Sequence, residues 1–517
     1  MRQLLSVTAI STVALLLLLV ALMLWPLSKP PEVGVSGDML IRGVAIVDVE
    51  GALLVPEQDV LILDGKIARV DDAGSIQGRE SLIAIDGSGK FLIPGLWDMH
   101  THTTKLASQY QHPLFIANGV TAVRDLWGCM NEPDPFFACL EDRQSWNDSL
   151  ADHTGLTPRY MGQSSYQING GSEVPEGSPG FFRARTAEEA RDLVDYYADA
   201  GADILKVYTE LSPEAYFALV DAARNKGLRV DGHRPIRVSL ENLLAAGQRS
   251  VEHARLFLFE CYEGADEFRA LPNPLSAYTN DLKRQLVDGH DEERCRWLID
   301  QLADSDTWWT PTLQTLRMEA LAADADFRAD ARLKYIPYLF RKLMWEPDAD
   351  RMARIGTDAS GRNVHAEMYR LARQHVGQAH ASGVKILTGT DVFDTYVFPG
   401  FSIHDELVEL VAAGLAPAAA LRTATIDAAI FSGVEADYGS IAVGKTSDMI
   451  LLTANPLLDI SSTRKIDGLF FNGSYFDRKS LDRLLDFAER QAGSFRANLQ
   501  ILWNAVRSPL LRLQFAD

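Results

Sequence analysis

The sequence predicts an α/β protein: a (β/α)8 barrel, a small composite β-sandwich built from segments before and after the barrel, and an N-terminal transmembrane helix. Three observations support this prediction. Short apolar strands alternate with helical patterns through the middle of the 517-residue chain, which is typical of a parallel sheet with helical crossovers. Strand-like alternation recurs on both sides of that middle. The chain also begins with a long uncharged apolar run.

The apolar run covers residues 4–25, LLSVTAISTVALLLLLVALMLW, and contains no charge. A helix of roughly 20 apolar residues crosses a bilayer. No small-residue cleavage site follows it clearly, so an uncleaved anchor is favoured, with a removed signal peptide as the alternative. Arg2 beside the amino terminus favours an N-terminus that stays inside. We therefore expect a membrane-anchored protein whose main domain is periplasmic or extracellular.

Residues 39–93 alternate in strand fashion and break at turn residues such as Asp64-Gly65 and Asp86-Gly87. A similar pattern returns in GSIAVGKTSDMILL and IDGLFFNGSYF near the C-terminus. The two segments predict one β domain built from both ends. The predicted organisation is an anchor (1–27), a linker (28–38), the N-terminal β-sandwich segment (39–93), the barrel (94–432), the C-terminal β-sandwich segment (433–478) and a helical tail (479–517).

Eight predicted strands suit a closed barrel. After the first, which ends near residue 103, they are 119–125, 158–163, 204–210, 229–233, 250–253, 307–313 and 384–391. Predicted helices follow at 186–202, 212–227 and 238–247. Thr186 and Glu189 form a capping-box pattern, and Gly227 ends the second helix. Residues 254–306 and 314–382 are predicted as mostly helical excursions around the active face.

Net charge and cysteine content exclude two classes of protein. A net charge of −20 and a pI near 5.0 argue against nucleic-acid binding, which requires a basic surface. The four cysteines contain no CxxC pair, so no zinc finger is indicated. Proximity in sequence suggests the pairs Cys129–Cys139 and Cys261–Cys295, and buried free thiols are the alternative.

Two histidines end the first predicted barrel strand, in PGLWDMHTHT at residues 94–103. Side chains at i and i+2 of a strand share a face, so Asp98, His100 and His102 are predicted to point the same way. Two imidazoles on one face supply half of a metal site. An HxH pair alone is weak support, because core and surface histidines are common.

Four further polar residues fall in or at the ends of predicted strands, on the side where barrel enzymes build active sites. Lys206 lies in ILKVY, and His233, His253 and Asp391 end RVDGH, SVEH and ILTGTD. Each alone has an ordinary alternative: a lysine extended to solvent, a core histidine, or an aspartate that caps a turn. Because these four residues and the HxH pair are all predicted at the same end of the barrel, a metal centre is favoured.

Lys206 carries the most specific chemistry. Burial disfavours an ammonium and lowers its pKa, so the neutral amine becomes accessible. A neutral amine reacts with carbon dioxide to give an anionic carbamate, whose two oxygens can bridge two metals. The sequence itself does not show this modification.

These motifs together resemble the metal-dependent amidohydrolase superfamily, in particular its imidazolonepropionase-like and Xaa-Pro-dipeptidase-like branch. The resemblance covers roughly residues 38–478 and is carried by PGLWDMHTHT, GVTAVRDLWG, ADILKVYTELSPEA, DGH, AAGQRSVEHA, LTGTD and GSIAVGKTSDMILL. It implies a metallohydrolase barrel with the composite β domain.

The resemblance implies two divalent metal ions, most consistent with zinc because the donors are nitrogen and oxygen. The implied ligands are His100, His102 and Asp391 for one metal, His233 and His253 for the other, and a carboxylated Lys206 that bridges both. A metal-bridging hydroxide would attack the substrate, and Asp391 would take its proton. Tyr208 would stabilise the oxyanion, with core packing as the alternative.

The expected reaction is hydrolysis of an amide-type C–N bond, including peptide bonds, in a peptide-like, N-acyl amino acid or cyclic amide substrate. Some relatives carry a histidine after a glycine pair where this chain has Ser172, so dipeptidase specificity does not transfer directly. Ser172 and Arg234 are candidate substrate contacts, although strand alternation turns Arg234 away from the face of His233. A lactonase or phosphotriesterase, a non-catalytic binding protein and a homo-oligomer stay open.

Overall fold

The computed structural model describes residues 25–78, 81–129, 134–171, 182–358 and 360–514. The predicted anchor, residues 4–25, lies outside these ranges except for Trp25, and so does Ser172. Within the described ranges, no helix combines the length and the hydropathy needed to span a bilayer.

One nine-stranded sheet takes its strands from both ends of the sequence, in the order β1-β16-β15-β14-β6-β2-β3-β4 with β5 beside β2. These strands are β1 (Val35–Ser36), β2 (Met39–Asp48), β3 (Leu53–Leu63), β4 (Lys66–Asp72), β5 (Ile83–Asp86), β6 (Phe91–Pro94), β14 (Met449–Leu452), β15 (Ile466–Phe471) and β16 (Ser474–Asp477).

The predicted β-sandwich is a single hydrogen-bonded sheet in the structure. Strand β2 is ten residues long, so one of its edges reaches two successive partners: Met39–Arg42 pair with β5, and Ala45–Ile46 pair with β6. Its other edge pairs antiparallel with β3. The long strand therefore joins what would otherwise be two separate sheets.

The middle of the chain forms a curled parallel sheet. Its regular strands are β7 (Leu96–Thr101), β8 (Val120–Asp125), β9 (Arg159–Tyr160), β10 (Ile204–Val207), β11 (Arg229–Gly232), β12 (Ser250–Glu252) and β13 (Trp308–Thr310). Strands β7–β9 pair in one group and β10–β13 in another. A parallel bridge links Ser164 to Ile204 between the groups.

The eighth predicted strand, 384–391, forms isolated bridges instead of a regular strand. Ile386 bridges to Trp309, and Val392 bridges to Thr101, so the parallel pairings return to β7. The segment is irregular because its hydrogen bonds go to several partners; the Thr388 amide, for example, bonds to the carbonyl of Thr423.

The described residues also form helices. In chain order they are α1 (Gln111–Ala117), α2 (Leu140–Ala151), α3 (Ala187–Asp199), α4 (Pro213–Lys226), α5 (Leu240–Ala246), α6 (Arg255–Glu260), α7 (Ala265–Arg269), α8 (Asn280–Asp288), α9 (Glu292–Ala303), α10 (Leu313–Leu321), α11 (Ala325–Arg328), α12 (Tyr338–Phe340), α13 (Glu346–Gly356), α14 (Val364–Ala381), α15 (Ser402–Ala413), α16 (Pro417–Thr423), α17 (Ile426–Ser432), α18 (Arg478–Gly493), α19 (Phe495–Arg507) and α20 (Pro509–Gln514).

Helix ends follow the capping residues in the sequence. The Thr186 hydroxyl accepts the amide of Glu189 at the start of α3, and Gly227 ends α4 with a φ of 73°. The excursions 254–306 and 314–382 are largely helical, as predicted. Both suggested disulfides are present, Cys129–Cys139 and Cys261–Cys295, and the second joins the end of α6 to α9.

Candidate metal centre and active site

The carboxylate of Asp391 lies among three histidines. Its Oδ1 is 2.8 Å from His102 Nε2 and 3.4 Å from His100 Nε2. Its Oδ2 is 3.5 Å from His253 Nδ1. One donor atom from each of His100, His253 and Asp391 lies within 4.8 Å of the others. Residues nearly three hundred positions apart therefore share one cluster.

The imidazoles of His233 and His253 face each other, with their Nε2 atoms 2.9 Å apart. A threonine hydroxyl holds the other nitrogen of each ring: Thr209 lies 3.0 Å from His233 Nδ1, and Thr312 lies 2.8 Å from His253 Nδ1. The two hydroxyls fix the ring orientations and direct both Nε2 atoms to the same point.

Lys206 extends from the strand β10 into the same cluster. Its side chain is buried, and its Nζ has no hydrogen-bond partner among the described residues. Burial lowers the pKa of this amine to about 8. The neighbouring Gly232 has a φ of 129°, and a Cβ there would lie 2.3 Å from the Val207 carbonyl oxygen. Only glycine fits between Lys206 and His233.

Two of the clustered residues have a left-handed backbone. His253 has a φ of 74° and Asp391 a φ of 66°, which costs a non-glycine residue of order 1 kcal/mol or more. His253 directly follows Glu252, the last residue of β12, and Asp391 directly precedes the bridged residue Val392. This backbone conformation directs both side chains into the cluster.

A buried charge network behind the cluster was missed in the sequence. Arg124 of β8 donates to both oxygens of Glu252, at 2.9 and 3.0 Å, and to Asp231 at 3.0 Å. Glu252 in turn lies 2.8 Å from His100 Nδ1. This contact directs His100 Nε2 toward Asp391. A single arginine inside the apolar stretch GVTAVRD was the available signal.

Asp98 supports the backbone of the site and does not contact an imidazole. Its carboxylate accepts the amide of Thr390 at 2.9 Å and the Thr390 hydroxyl at 2.6 Å. It also accepts the His100 amide at 3.3 Å. Asp98 therefore fixes the turn that carries Asp391 against the strand that carries His100.

Burial and mutual charge set the protonation of the cluster. Burial lowers the pKa of His100 to about 4 and lowers the pKa values of His233 and His253 well below the usual value. Burial alone would raise the pKa of Asp391, but His100, His102 and His253 hold it well below its ordinary range. The imidazoles of His100, His233 and His253 are thus neutral, and the carboxylate of Asp391 is ionised.

The donor set fits divalent metal ions. The Nε2 of His100 and the Nζ of Lys206 are buried and have no hydrogen-bond partner among the described residues, a costly arrangement unless another group satisfies them. The facing Nε2 atoms of His233 and His253 share at most one hydrogen when both rings are neutral. A cation would satisfy the lone pairs of these imidazole nitrogens.

A cavity of about 860 Å³ opens over the cluster. Apolar side chains line much of it, among them Trp127, Phe259, Leu343, Met344 and Phe393. Charged residues also reach it: Arg255, Asp348, Arg351 and Asp394. The volume suits a small-molecule ligand.

Tyr208 and Arg234, two predicted site residues, both line this cavity but make different contacts. The ring of Tyr208 lies over that of His233, with centroids 4.1 Å apart. The guanidinium of Arg234 is engaged by Glu260 at 3.2 Å and donates through Nη1 to the carbonyls of Ile236 and Val238. Arg234 thus stabilises the loop after His233. Because Glu260 already pairs with its guanidinium, Arg234 is a poor ligand for a substrate carboxylate.

A second group of potential ligands lies outside this cavity. One donor atom each from Cys261, His290, Cys295 and His375 lies within 4.8 Å of the others. The disulfide between the two cysteines occupies both sulfurs, so this group offers only two imidazoles in the structure.

Comparisons with known proteins agree with this architecture. A model of the amidohydrolase family matches residues 355–475. An adenine deaminase from Chelativorans sp. (strain BNC1) is 27% identical over 205 residues, which cover 38% of this chain and 32% of that protein. The match thus spans about a third of the length of this curated relative.

Two solved structures share the fold over most of their length. Bottromycin amidohydrolase aligns with a TM-score of 0.67 and 23% identity over 89% of this chain and 92% of its own. A Xaa-Pro dipeptidase with bound methionine aligns with a TM-score of 0.60 and 19% identity over 85% of this chain and 100% of its own.

Proposed function

We propose that the chain, as a member of the amidohydrolase superfamily, is a hydrolase of amide-type C–N bonds with two metal ions. The convergence of six side chains on one point carries this proposal: His100, His102, Lys206, His233, His253 and Asp391. The ring of parallel pairings that returns to β7 supports a closed (β/α)8 barrel, whose strand ends bring these residues together.

Each metal has its own set of ligands. His100, His102 and Asp391 would hold one ion, and His233 with His253 the other. Nitrogen and oxygen donors of this kind suit zinc. When bound, such ions polarise a carbonyl and increase the acidity of a water molecule.

Lys206 is proposed to carry a carbamate that joins the two sets. The neutral amine attacks the carbon of carbon dioxide, a C–N bond forms, and the nitrogen releases one proton to solvent. Burial of Nζ without a partner among the described residues supports this step, because burial favours the neutral, nucleophilic amine. The product is an anionic carbamate with two oxygen atoms.

Asp391 is the proposed proton carrier. Its carboxylate is held ionised by the neighbouring histidines, so Oδ1 or Oδ2 can accept the proton of the attacking water and return it to the leaving nitrogen. Asp391 has a left-handed backbone, and its backbone N–H donates a hydrogen bond to the His100 carbonyl. Both features fix the carboxylate for the two proton transfers. Tyr208 lies beside His233, where its hydroxyl can donate to the developing oxyanion.

The substrate class follows from the walls of the cavity. Trp127, Phe259 and Leu343 offer an apolar surface, which suits the acyl or side-chain portion of a substrate. Arg255, which is paired with Glu319, and Arg351, which is paired with Asp348, also line the cavity. Their remaining N–H groups suit a carboxylate. Peptide-like substrates and N-acyl amino acids, which combine both portions, fit best.

The proposal includes the cellular location of the protein. Residues 4–25 are proposed as an uncleaved anchor because 22 uncharged residues suffice to cross a bilayer. Two disulfides among the described residues support an oxidising compartment, periplasmic or extracellular, for the hydrolase domain.

The test is metal analysis combined with hydrolysis of a panel of dipeptides and N-acyl amino acids. We expect close to two zinc ions per chain and turnover of at least one substrate with a free carboxylate. The Lys206→Arg variant keeps the positive charge but forms no carbamate, so it is expected to lose metal and activity together. Metal-loaded protein without turnover on the whole panel would favour a non-catalytic binding protein.

A further inference from the structure

Helix α19 exposes an apolar stripe near the C-terminus. Phe495, Leu502, Trp503 and Val506 are 67%, 37%, 45% and 63% exposed. With 3.6 residues per turn these four positions fall within an arc of about 100°. The opposite side, with Ala497, Asn498 and Ile501, is buried. We call the four exposed side chains the α19 apolar face.

This face lies where the uncharged N-terminal stretch joins the folded chain. The Arg496 guanidinium donates to the carbonyl oxygens of Trp25 and Pro26, at 2.9 and 2.8 Å. The Gln500 side chain donates to Trp25 at 3.2 Å. Trp25 is itself 67% exposed and is the last residue of the 4–25 stretch. Two side chains of α19 therefore hold the end of that stretch.

The C-terminal residues 490–515 carry a net positive charge, whereas the protein as a whole is acidic. The protein carries a net charge of −20, yet residues 490–515 contain four arginines and no acid. Arg496 and Arg507 flank the α19 apolar face on one side of the helix, and Arg507 lies over the Trp503 ring at 5.4 Å. A basic edge beside an exposed aromatic stripe is typical of helices that lie on anionic membranes.

Helix α19 also adjoins the rim of the cavity. Asn498 accepts the amide of Leu339 in α12 at 2.8 Å. The turn after α12 carries Leu343, which is 57% exposed and lines the cavity. A surface that engages α19 thus lies next to one wall of the proposed active site.

We propose that the α19 apolar face rests on the surface of a lipid bilayer, on the premise that residues 4–25 enter that bilayer. Trp25 and the bonds from Arg496 set the helix at the membrane surface, Phe495 and Trp503 reach the interfacial region, and the arginines meet anionic headgroups. The same surface of a second copy would carry the same four arginines and no acid, and this like charge disfavours self-association through it. In this orientation Leu343, at the rim of the cavity, would lie near the membrane surface.

The experiment places one fluorescent label on the full-length chain in vesicles. Its four native cysteines are paired in disulfides, so bimane reacts with an introduced thiol in Val506→Cys. Leu458→Cys is the matched control, because Leu458 is an exposed apolar residue, 85% accessible, far from α19 in sequence. Both proteins are reconstituted in phosphatidylcholine–phosphatidylglycerol vesicles that contain a lipid with a nitroxide high on its acyl chain.

We expect at least threefold stronger nitroxide quenching of the label at 506 than at 458. Equal quenching at the two positions overturns the proposal, and so does a chain that does not co-float with the vesicles. A label at 506 whose emission shifts with protein concentration, but not with lipid, identifies a second copy and also overturns it. Hydrolysis is measured on the same samples, so loss of the proposed activity is seen separately.

A pair of charge variants shows whether the face itself makes the contact. Trp503→Glu in the Val506→Cys chain is expected to reduce quenching by more than half. Trp297→Glu is the control, since Trp297 on α9 has nearly the same exposure, 47% against 45%. Quenching that Trp503→Glu leaves unchanged contradicts the proposal. Thermal unfolding of both variants shows that the exposed substitutions leave the fold intact.

Discussion

The Nε2 atoms of His233 and His253 lie 2.9 Å apart, and each ring is fixed from behind by a threonine hydroxyl. Two neutral imidazoles in this arrangement have at most one hydrogen between them. One hydrogen makes this contact an N–H···N hydrogen bond, whereas with both hydrogens on Nδ1 the two lone pairs point at a common electrophile. This relationship joins two strand ends, β11 and β12, into one half of the proposed metal centre.

Removal of one ring tests this half directly. His233→Ala is expected to lower the metal content from two ions per chain to one and to reduce kcat/KM by more than about 100-fold, because even groups behind a ligand cost 10–100-fold. Plasma emission spectrometry and the substrate panel measure both effects. His153→Ala, at an exposed position, is the control and should retain two ions.

The buried network behind His100 gives a second prediction. Glu252→Gln removes the charge that holds His100 Nδ1 and that pairs with Arg124. We expect about 10–100-fold weaker binding of the metal at His100, measured by competition with a chelator. Asp448→Asn breaks a different ion pair, with Arg159, and should lower the melting temperature without a change in metal affinity. Equal metal affinity in wild type and Glu252→Gln would refute the role assigned to Glu252.

The two disulfides should differ in their contribution to stability. Cys261–Cys295 spans 34 residues and Cys129–Cys139 spans 10, so loop-closure entropy predicts losses of about 4 and about 3 kcal/mol on removal. Cys261→Ser/Cys295→Ser is therefore expected to reduce the free energy of unfolding more than Cys129→Ser/Cys139→Ser. Urea titration of the two double variants checks the order, and the reverse order would contradict the entropic account.

Acid stability should depend on Asp405. Burial alone would raise the pKa of this carboxyl, but Arg332 and Arg464, at 2.6 and 2.7 Å, hold it below the ordinary value. Because the folded-state pKa is lowered, the stabilisation is complete above the unfolded value of about 3.9 and is lost as pH falls toward the folded value.

Asp405→Asn removes this titration. The difference in unfolding free energy between wild type and variant should be largest near pH 7 and should shrink below about pH 4. Urea titrations across this range measure it. A difference that stays constant with pH would show that Asp405 does not titrate in this way.

Sequence patterns predicted which side chains meet in the cluster because polar chemistry and strand position coincided. His100 and Lys206 lie within or at the end of apolar strands, where a polar side chain has few other reasons to occur. The capping residues Thr186 and Gly227 likewise marked helix ends that the structure reproduces. These features depend on local sequence alone.

Other features depend on tertiary contacts and could not be predicted from the sequence alone. Alternation in β12 assigns Glu252 and His253 to opposite faces, yet both reach the site, because the left-handed backbone of His253 reverses its direction. Asp98 was predicted to share a face with His100 and His102, but its carboxylate accepts hydrogen bonds from Thr390, far along the chain. The single nine-stranded sheet also arises from the long pairing of β2, which no turn residue signals.

An anomalous difference map from zinc-loaded crystals, collected at the zinc absorption edge, tests the central claim most directly. Two peaks are predicted: one among His100, His102 and Asp391, and one between His233 and His253, with density for a carbamate on Lys206 between them. A map with no peak at this cluster, or with a single peak and an unmodified Lys206, would contradict the binuclear account.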